Sequence, residues 1–80
     1  MPHLFGEKLR FLRQQQRMTQ VDLASKLSLA SYTHITKLEA SQDAPSLALV
    51  LRITHHFNVT TDYVLRDTIP VDAVAASIVG

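Results

Sequence analysis

Tyr32, Thr33, Thr36 and Lys37 lie within the stretch SYTHITKLEAS and combine three hydroxyls with one cation. If Ile35 and Leu38 are buried at the i, i+3 spacing of a helix, these four side chains point away from them, as an exposed row of hydrogen-bonding groups. Such a row can recognise a surface, but it holds no general base. Ser, His and Asp all occur, yet the chain has neither a nucleophile elbow nor a glycine-rich phosphate loop, and only two glycines; no enzymatic activity is expected. His55 and His56 are adjacent, so on a helix they diverge by roughly 100°, and no Cys or carboxylate nearby completes a ligand set. They read as solvated or interfacial histidines, and no metal or cofactor is expected. Lys8, Arg10, Arg13 and Arg17 alternate with apolar helix positions and read either as a phosphate-facing stripe or as a solvated face.

The composition sets the frame for these residues. Eighty residues, 46% of them hydrophobic, make one small globular domain near the lower size at which a single core suffices. With no cysteine, neither a disulfide nor a thiolate zinc site can staple it. Stability must come from helix packing or from a partner chain. No apolar run approaches the roughly 20 residues that span a bilayer, and the start MPHLFGEKLR lacks the apolar segment of a signal peptide. The expectation is a cytoplasmic protein without a membrane partner. A net charge of +1 gives no bulk argument for nucleic acid, so local placement must carry it.

Five helices can be read along the chain. Phe5, Leu9 and Leu12 repeat at helical spacing and predict a first helix over residues 4–16. Thr19 suits an N-cap, with acidic Asp22 at the third helical position and Met18 and Leu23 placed as a hydrophobic staple; this second helix runs to about Leu27. Ser31 suits the next N-cap, for a third helix over residues 32–40 burying Ile35 and Leu38. Pro45-Ser46 opens a fourth, with Leu47, Val50, Leu51, Thr54 and Phe57 as its expected inward stripe. A fifth begins at Thr60, with Val59 and Val64 as another staple. Residues 1–68 read as the domain. Residues 69–80 lose periodicity after Pro70 and read as a tail, linker or docking segment.

The blocks GEKLRFLRQQQRMTQVDLASKL, ITKLEAS, APSLALVLRI and FNVTTDYVLRD, in this order and covering about residues 5–67, resemble the Cro/CI-type (lambda-repressor-like, XRE) helix-turn-helix family. The resemblance implies an all-α, compact five-helix domain, usually in a DNA-binding homodimer that represses or activates transcription. It implies that the second helix lies across the DNA backbone and the third enters the major groove. On that mapping Tyr32, Thr33, Thr36 and Lys37 are expected to contact bases. Thr19, Gln20, Ser31 and Gln42 are expected to contact phosphates. His34, at the third position of that helix and at its edge, reads either as a DNA contact or as a support for the cap, the latter being favoured. Arg13 and Glu39 match positions that commonly pair and tie the first helix to the end of the third.

Three departures from the family pattern bear on this mapping. Eleven residues separate Leu27 from Glu39, against the usual ten, and aligning backward from Glu39 places the extra one in Ser28–Ala30. Ser41 stands where the family usually has glycine, so a left-handed conformation there would cost about 1 kcal/mol unless the loop relaxes. The loop Gln42-Asp43-Ala44 lacks the usual phosphate-facing cation, and Asp43 would repel a backbone. Modest, dimer-dependent affinity with a shallow salt dependence is expected.

Phe11 and Tyr63 fall off the first apolar stripes and, with Val71 and Val74 of the tail, are the expected dimer interface. The partners expected are therefore double-stranded DNA and a second copy of the chain, acting on a pseudo-palindromic operator. A rival reading keeps the fold but makes it a protein-protein interaction module or antitoxin-like regulator that uses the last two helices and the tail.

Overall fold

The computed structural model describes residues 4–73. They form α1 (Phe5–Gln15), α2 (Gln20–Lys26), α3 (Thr33–Glu39), α4 (Leu47–Phe57) and α5 (Thr61–Leu65). α1 packs against both α3 and α5, α2 against α3, and α4 against α5. The core they enclose includes Phe5, Leu9 and Leu12 of α1, Leu23 and Ala24 of α2, Ile35 and Leu38 of α3, and Val64 of α5.

Local chemistry starts the helices. Thr19 and Asp22 form a reciprocal capping box: the Thr19 hydroxyl accepts from the Asp22 N–H at 3.0 Å, and the Asp22 carboxylate accepts from the Thr19 N–H at 3.0 Å. Ser46 and Thr60 accept from the N–H groups of Leu49 and Tyr63 in the same way, each at 3.1 Å. α3 begins one residue later than the sequence suggests. Tyr32, already in the right-handed helical region, occupies its N-cap position, and the Ser31 hydroxyl accepts from the Thr33 N–H at 3.2 Å.

Helix ends are closed by a shared device. Arg17, Ser28, Ser41 and Asn58 each have φ between 55° and 59°. The following N–H reaches back five residues, as in Met18 to Arg13, Leu29 to Ala24, Gln42 to Lys37 and Val59 to Thr54. These are Schellman closures without glycine. Ser41 thus keeps the left-handed conformation.

Two expectations about the core fail. In α4 the buried residues are Leu49, Val50, Ile53, Thr54 and Phe57, whereas Leu47 is 73% and Leu51 51% exposed. α4 is apolar on more than one face, so two stripes satisfy helical spacing, and packing against α5 selects the one through Leu49 and Ile53. Tyr63, expected at a dimer interface, is fully buried, and its hydroxyl donates to the Val71 carbonyl. Its ring therefore belongs to the monomer core. Val71 is half-buried beside it, and Phe11 is half-buried on α1. Val74 lies outside the described residues.

Lys8 also departs from expectation. Rather than lying on a basic stripe, it is fully buried and donates to the carbonyls of Tyr63 and, at 2.6 Å, Arg66, while its ammonium sits 5.1 Å from the centre of the Tyr63 ring. A cation placed on the last carbonyls of α5 satisfies acceptors that no later turn can reach. Burial pushes its pKa below the usual lysine value, and Asp67 opposes that shift. Asp67 also accepts from the Leu4 N–H at 2.9 Å, fastening the start of α1 to the end of α5.

Candidate nucleic-acid interface

The exposed side of α3 follows from what its other side must do. Ile35 and Leu38 are fully buried, so Thr33, Thr36 and Lys37 are exposed, and Tyr32 is 52% exposed at the start of the helix. The Ser31 hydroxyl donates to Thr33 Oγ1 at 3.1 Å while accepting from the Thr33 N–H. Ser31 therefore orders the first turn of the row. His34 is half-buried at its edge.

Behind this surface runs a chain of polar contacts. Arg13 grips Glu39 with two bonds, Nε to Oε2 at 2.7 Å and Nη2 to Oε1 at 3.2 Å, and its Nη1 donates to the Met18 carbonyl at 2.8 Å. The planar fork of the guanidinium matches the carboxylate, and the pair is largely buried, which screens it little. Gln20 Nε2 donates to Glu39 Oε1 at 3.3 Å, and the Thr36 hydroxyl donates to Gln20 Oε1 at 2.6 Å. One network thus joins α1, the start of α2 and the middle and end of α3.

That network occupies part of the hydrogen-bonding capacity of the residues expected to face phosphates. Gln20 holds α3 with both ends of its amide, leaving its second N–H hydrogen for an outside acceptor. Thr19 uses its hydroxyl and N–H in the capping box. Asp22 is held below the usual carboxylate range mainly by the Thr19 N–H and hydroxyl, so its negative charge stays in the first turn of α2. A phosphate approaching there meets the amides of Gln20 and Val21, which precede any intrahelical acceptor, together with that carboxylate. Gln42 is exposed directly after α3, and its N–H is committed to the Lys37 carbonyl at 2.8 Å.

Three contributors were missed from the sequence. Lys8 was read as surface because its partners lie more than fifty residues away. Gln20 was read only as a phosphate contact, although a glutamine at a helix start can equally bridge to a neighbouring helix. Gly6 was not singled out, although a glycine inside a helix costs roughly 1 kcal/mol and so signals a packing reason. A Cβ at Gly6 would lie 2.6 Å from the carbonyl oxygens of both Leu38 and Glu39. Only hydrogen fits where α1 crosses the end of α3.

Among the described residues no cluster of three or more His, Cys, Asp or Glu is arranged to hold a metal ion, and no helix is long and apolar enough to cross a membrane. The surface offers hydrogen bonds and one cation on a rigid helix.

Comparison with known proteins agrees with this architecture. The P22 c2 repressor bound to a synthetic operator superposes with a TM-score of 0.74 at 25% identity, covering 81% of this chain and 97% of that one. The restriction-modification controller protein C.AhdI from Aeromonas hydrophila gives 0.67 at 25% identity, covering 75% and 89%. The solution structure of the P22 c2 repressor DNA-binding domain gives 0.73 at 23% identity, covering 88% and 91%, a likeness of fold. No curated protein matches the sequence. The helix-turn-helix family matches residues 9–64, most of the described chain, and takes in the capping box, the Arg13–Glu39 pair and the exposed row on α3. The chain belongs to the helix-turn-helix family, of the Cro/CI, lambda-repressor-like type.

Proposed function

We propose that the chain is a DNA-binding regulator of transcription that reads sequence with α3 in the major groove and acts as a homodimer on a pseudo-palindromic site. The observation that carries this reading is the exposed row Tyr32, Thr33 and Lys37 on a helix braced from behind by Arg13–Glu39 and Gln20–Thr36. Rigid backing matters because base readout depends on holding donors in register with base edges. The likeness to a repressor bound to its operator supports the same reading.

In this scheme Lys37 donates to guanine O6 and N7 or to a phosphate, and Thr33 bonds a base edge or meets a thymine methyl. Tyr32 stacks on a base or donates to a phosphate. Thr36 gives its hydroxyl proton to Gln20, which leaves its methyl group for a thymine. Thr19, Gln20, Ser31 and Gln42 flank the row and meet the backbone. Two copies place their recognition helices about one helical turn apart, roughly 34 Å.

Selection of bound fragments from random duplexes tests the scheme. An enriched inverted repeat is expected; no enrichment by a folded dimer would refute sequence-specific binding. Lys37→Ala and Thr33→Ala should change which bases are enriched, while Gln20→Ala should weaken all sites alike. The exposed Leu47 and Leu51 favour a second reading, in which α4 and α5 engage another protein. Under that reading Leu51→Glu abolishes the protein complex and leaves duplex binding intact.

A further inference from the structure

The sequence raises a deficit that the fold sharpens: a DNA-facing surface in a chain of net charge +1, with an acidic residue in the loop where a cation would be useful. The structure removes two of the four cations of α1 and its following turn from consideration. Lys8 is sealed inside against α5, and Arg13 is committed to Glu39. Arg17 lies at the turn beyond α1, in a separate hollow with Asp22, Lys26 and His56.

Arg10 differs from all three. It is exposed, one helical turn before Arg13 and on the same side of α1, and no hydrogen bond or ion pair engages it among the described residues. It lines a small open cleft with Arg13, Gln20, Thr36, Glu39 and Ala40, so it stands beside the network that braces the reading helix. The cleft is lined by two arginines and one carboxylate, and Arg13 already neutralises that carboxylate. The remaining positive charge belongs to Arg10.

We infer that Arg10 is a DNA-backbone contact, binding a phosphate beside α3 and supplying the charge that the Gln42-Asp43-Ala44 loop lacks. This rests on the proposed reading, in which a duplex seated on the exposed row of α3 brings its flanking phosphates over the rim formed by Thr36 and Gln20. A guanidinium suits the task, since it can bond two phosphate oxygens at once and remains charged at any working pH. The contact fixes position and contributes no base discrimination.

The test measures duplex affinity at several salt concentrations for the wild type, Arg10→Ala, Arg10→Lys and Arg17→Ala, on an operator found by selection. Each variant's melting temperature is recorded alongside. Arg10→Ala should weaken binding about tenfold or more at low salt and flatten the slope of log K against log salt by about 0.9 per protomer, roughly 1.8 for a dimer. Arg10→Lys should recover most of the slope, the base preference should stay as it was, and Arg17→Ala should change the slope much less. Equal losses in Arg10→Ala and Arg17→Ala would overturn the inference, because charge would then act in bulk. A lowered melting temperature with an unchanged slope would also overturn it, assigning Arg10 to the end of α3 instead. A folded wild type that binds no duplex would fail the functional reading itself, an outcome distinct from both.

Discussion

Lys8 and Arg13 are cations on one helix, yet they build opposite kinds of region. Around Lys8 everything closes: two carbonyls at the end of α5, the face of Tyr63 and the Tyr63 hydroxyl bound to Val71 leave no group turned outward. Around Arg13 the contacts continue through Glu39 and Gln20 to Thr36, which stands on the exposed side of α3. The first region is an internal fastening, and the second couples the core to a working surface. Charge placement along α1 therefore puts Lys8 wholly inside the core and Arg13 between the core and the exposed side of α3.

The comparison can be broken most severely at Lys8. Lys8→Met keeps the aliphatic stem but leaves two buried carbonyls without their donor. We expect a loss of about 2–3 kcal/mol, since a charged donor's bonds are strong and only part of that is returned by no longer burying a charge. In a domain of this size that is a fall of roughly 10–20 °C in melting temperature. Protein that remains folded should select the same DNA sequences as the wild type. A changed sequence preference would mean that the two regions are not separate.

Arg13→Ala probes the other side. A loss of about 1–2 kcal/mol is expected, together with weaker binding to every DNA site, because Glu39 and Gln20 lose their anchor. Arg13→Lys should restore little of either, having no fork to pair with the carboxylate. Thermal melts and binding isotherms on matched and mismatched duplexes measure the two effects.

Tyr63→Phe tests the closed region more finely, with an expected cost of about 1 kcal/mol for the lost bond to Val71. It also carries a pH signature. Burial, with a smaller contribution from Asp72, pushes the Tyr63 hydroxyl from 10 up to about 12. A group whose pKa is raised by folding contributes fully below its unfolded value and loses that contribution as pH climbs through the folded one. Wild-type stability should therefore fall between pH 10 and 12, and Tyr63→Phe should flatten that fall. Lys8 acts in the opposite sense: its pKa is lowered by folding, so its burial cost is relieved as pH rises towards 10.5.

The smallest expected effect lies outside both regions and serves as their control. Ser41→Gly relieves a left-handed backbone at the end of α3 and should stabilise the chain by up to about 1 kcal/mol. Chemical denaturation should show a higher midpoint, with DNA preference unaltered.

What the sequence reveals and what it hides divide along the same line between local and distant interactions. The Thr19–Asp22 box and the Ser46 and Thr60 caps are legible because donor and acceptor lie within three residues. The buried face of α3 is legible because Ile35 and Leu38 are its only apolar residues. In α4, by contrast, Leu47 and Leu51 satisfy helical spacing as well as Leu49 and Ile53 do, and tertiary packing, including that against α5, decides between them. The exposed row of α3 can be read by subtraction once Ile35 and Leu38 are buried. The Gln20–Thr36 bond and the Lys8–Tyr63 contact, sixteen and fifty-five residues apart, have no local signal.

Gly6 gives this arrangement a longer consequence. Because the crossing of α1 over the end of α3 is set by bare backbone, that contact does not depend on the identity of the side chains on the outer side of α3. Under the proposed function, exchanging Thr33 or Lys37 for other residues while Gly6, Arg13 and Glu39 stay fixed would make new specificities accessible by single substitutions. Under that proposal the molecule is a holder with an interchangeable reading edge.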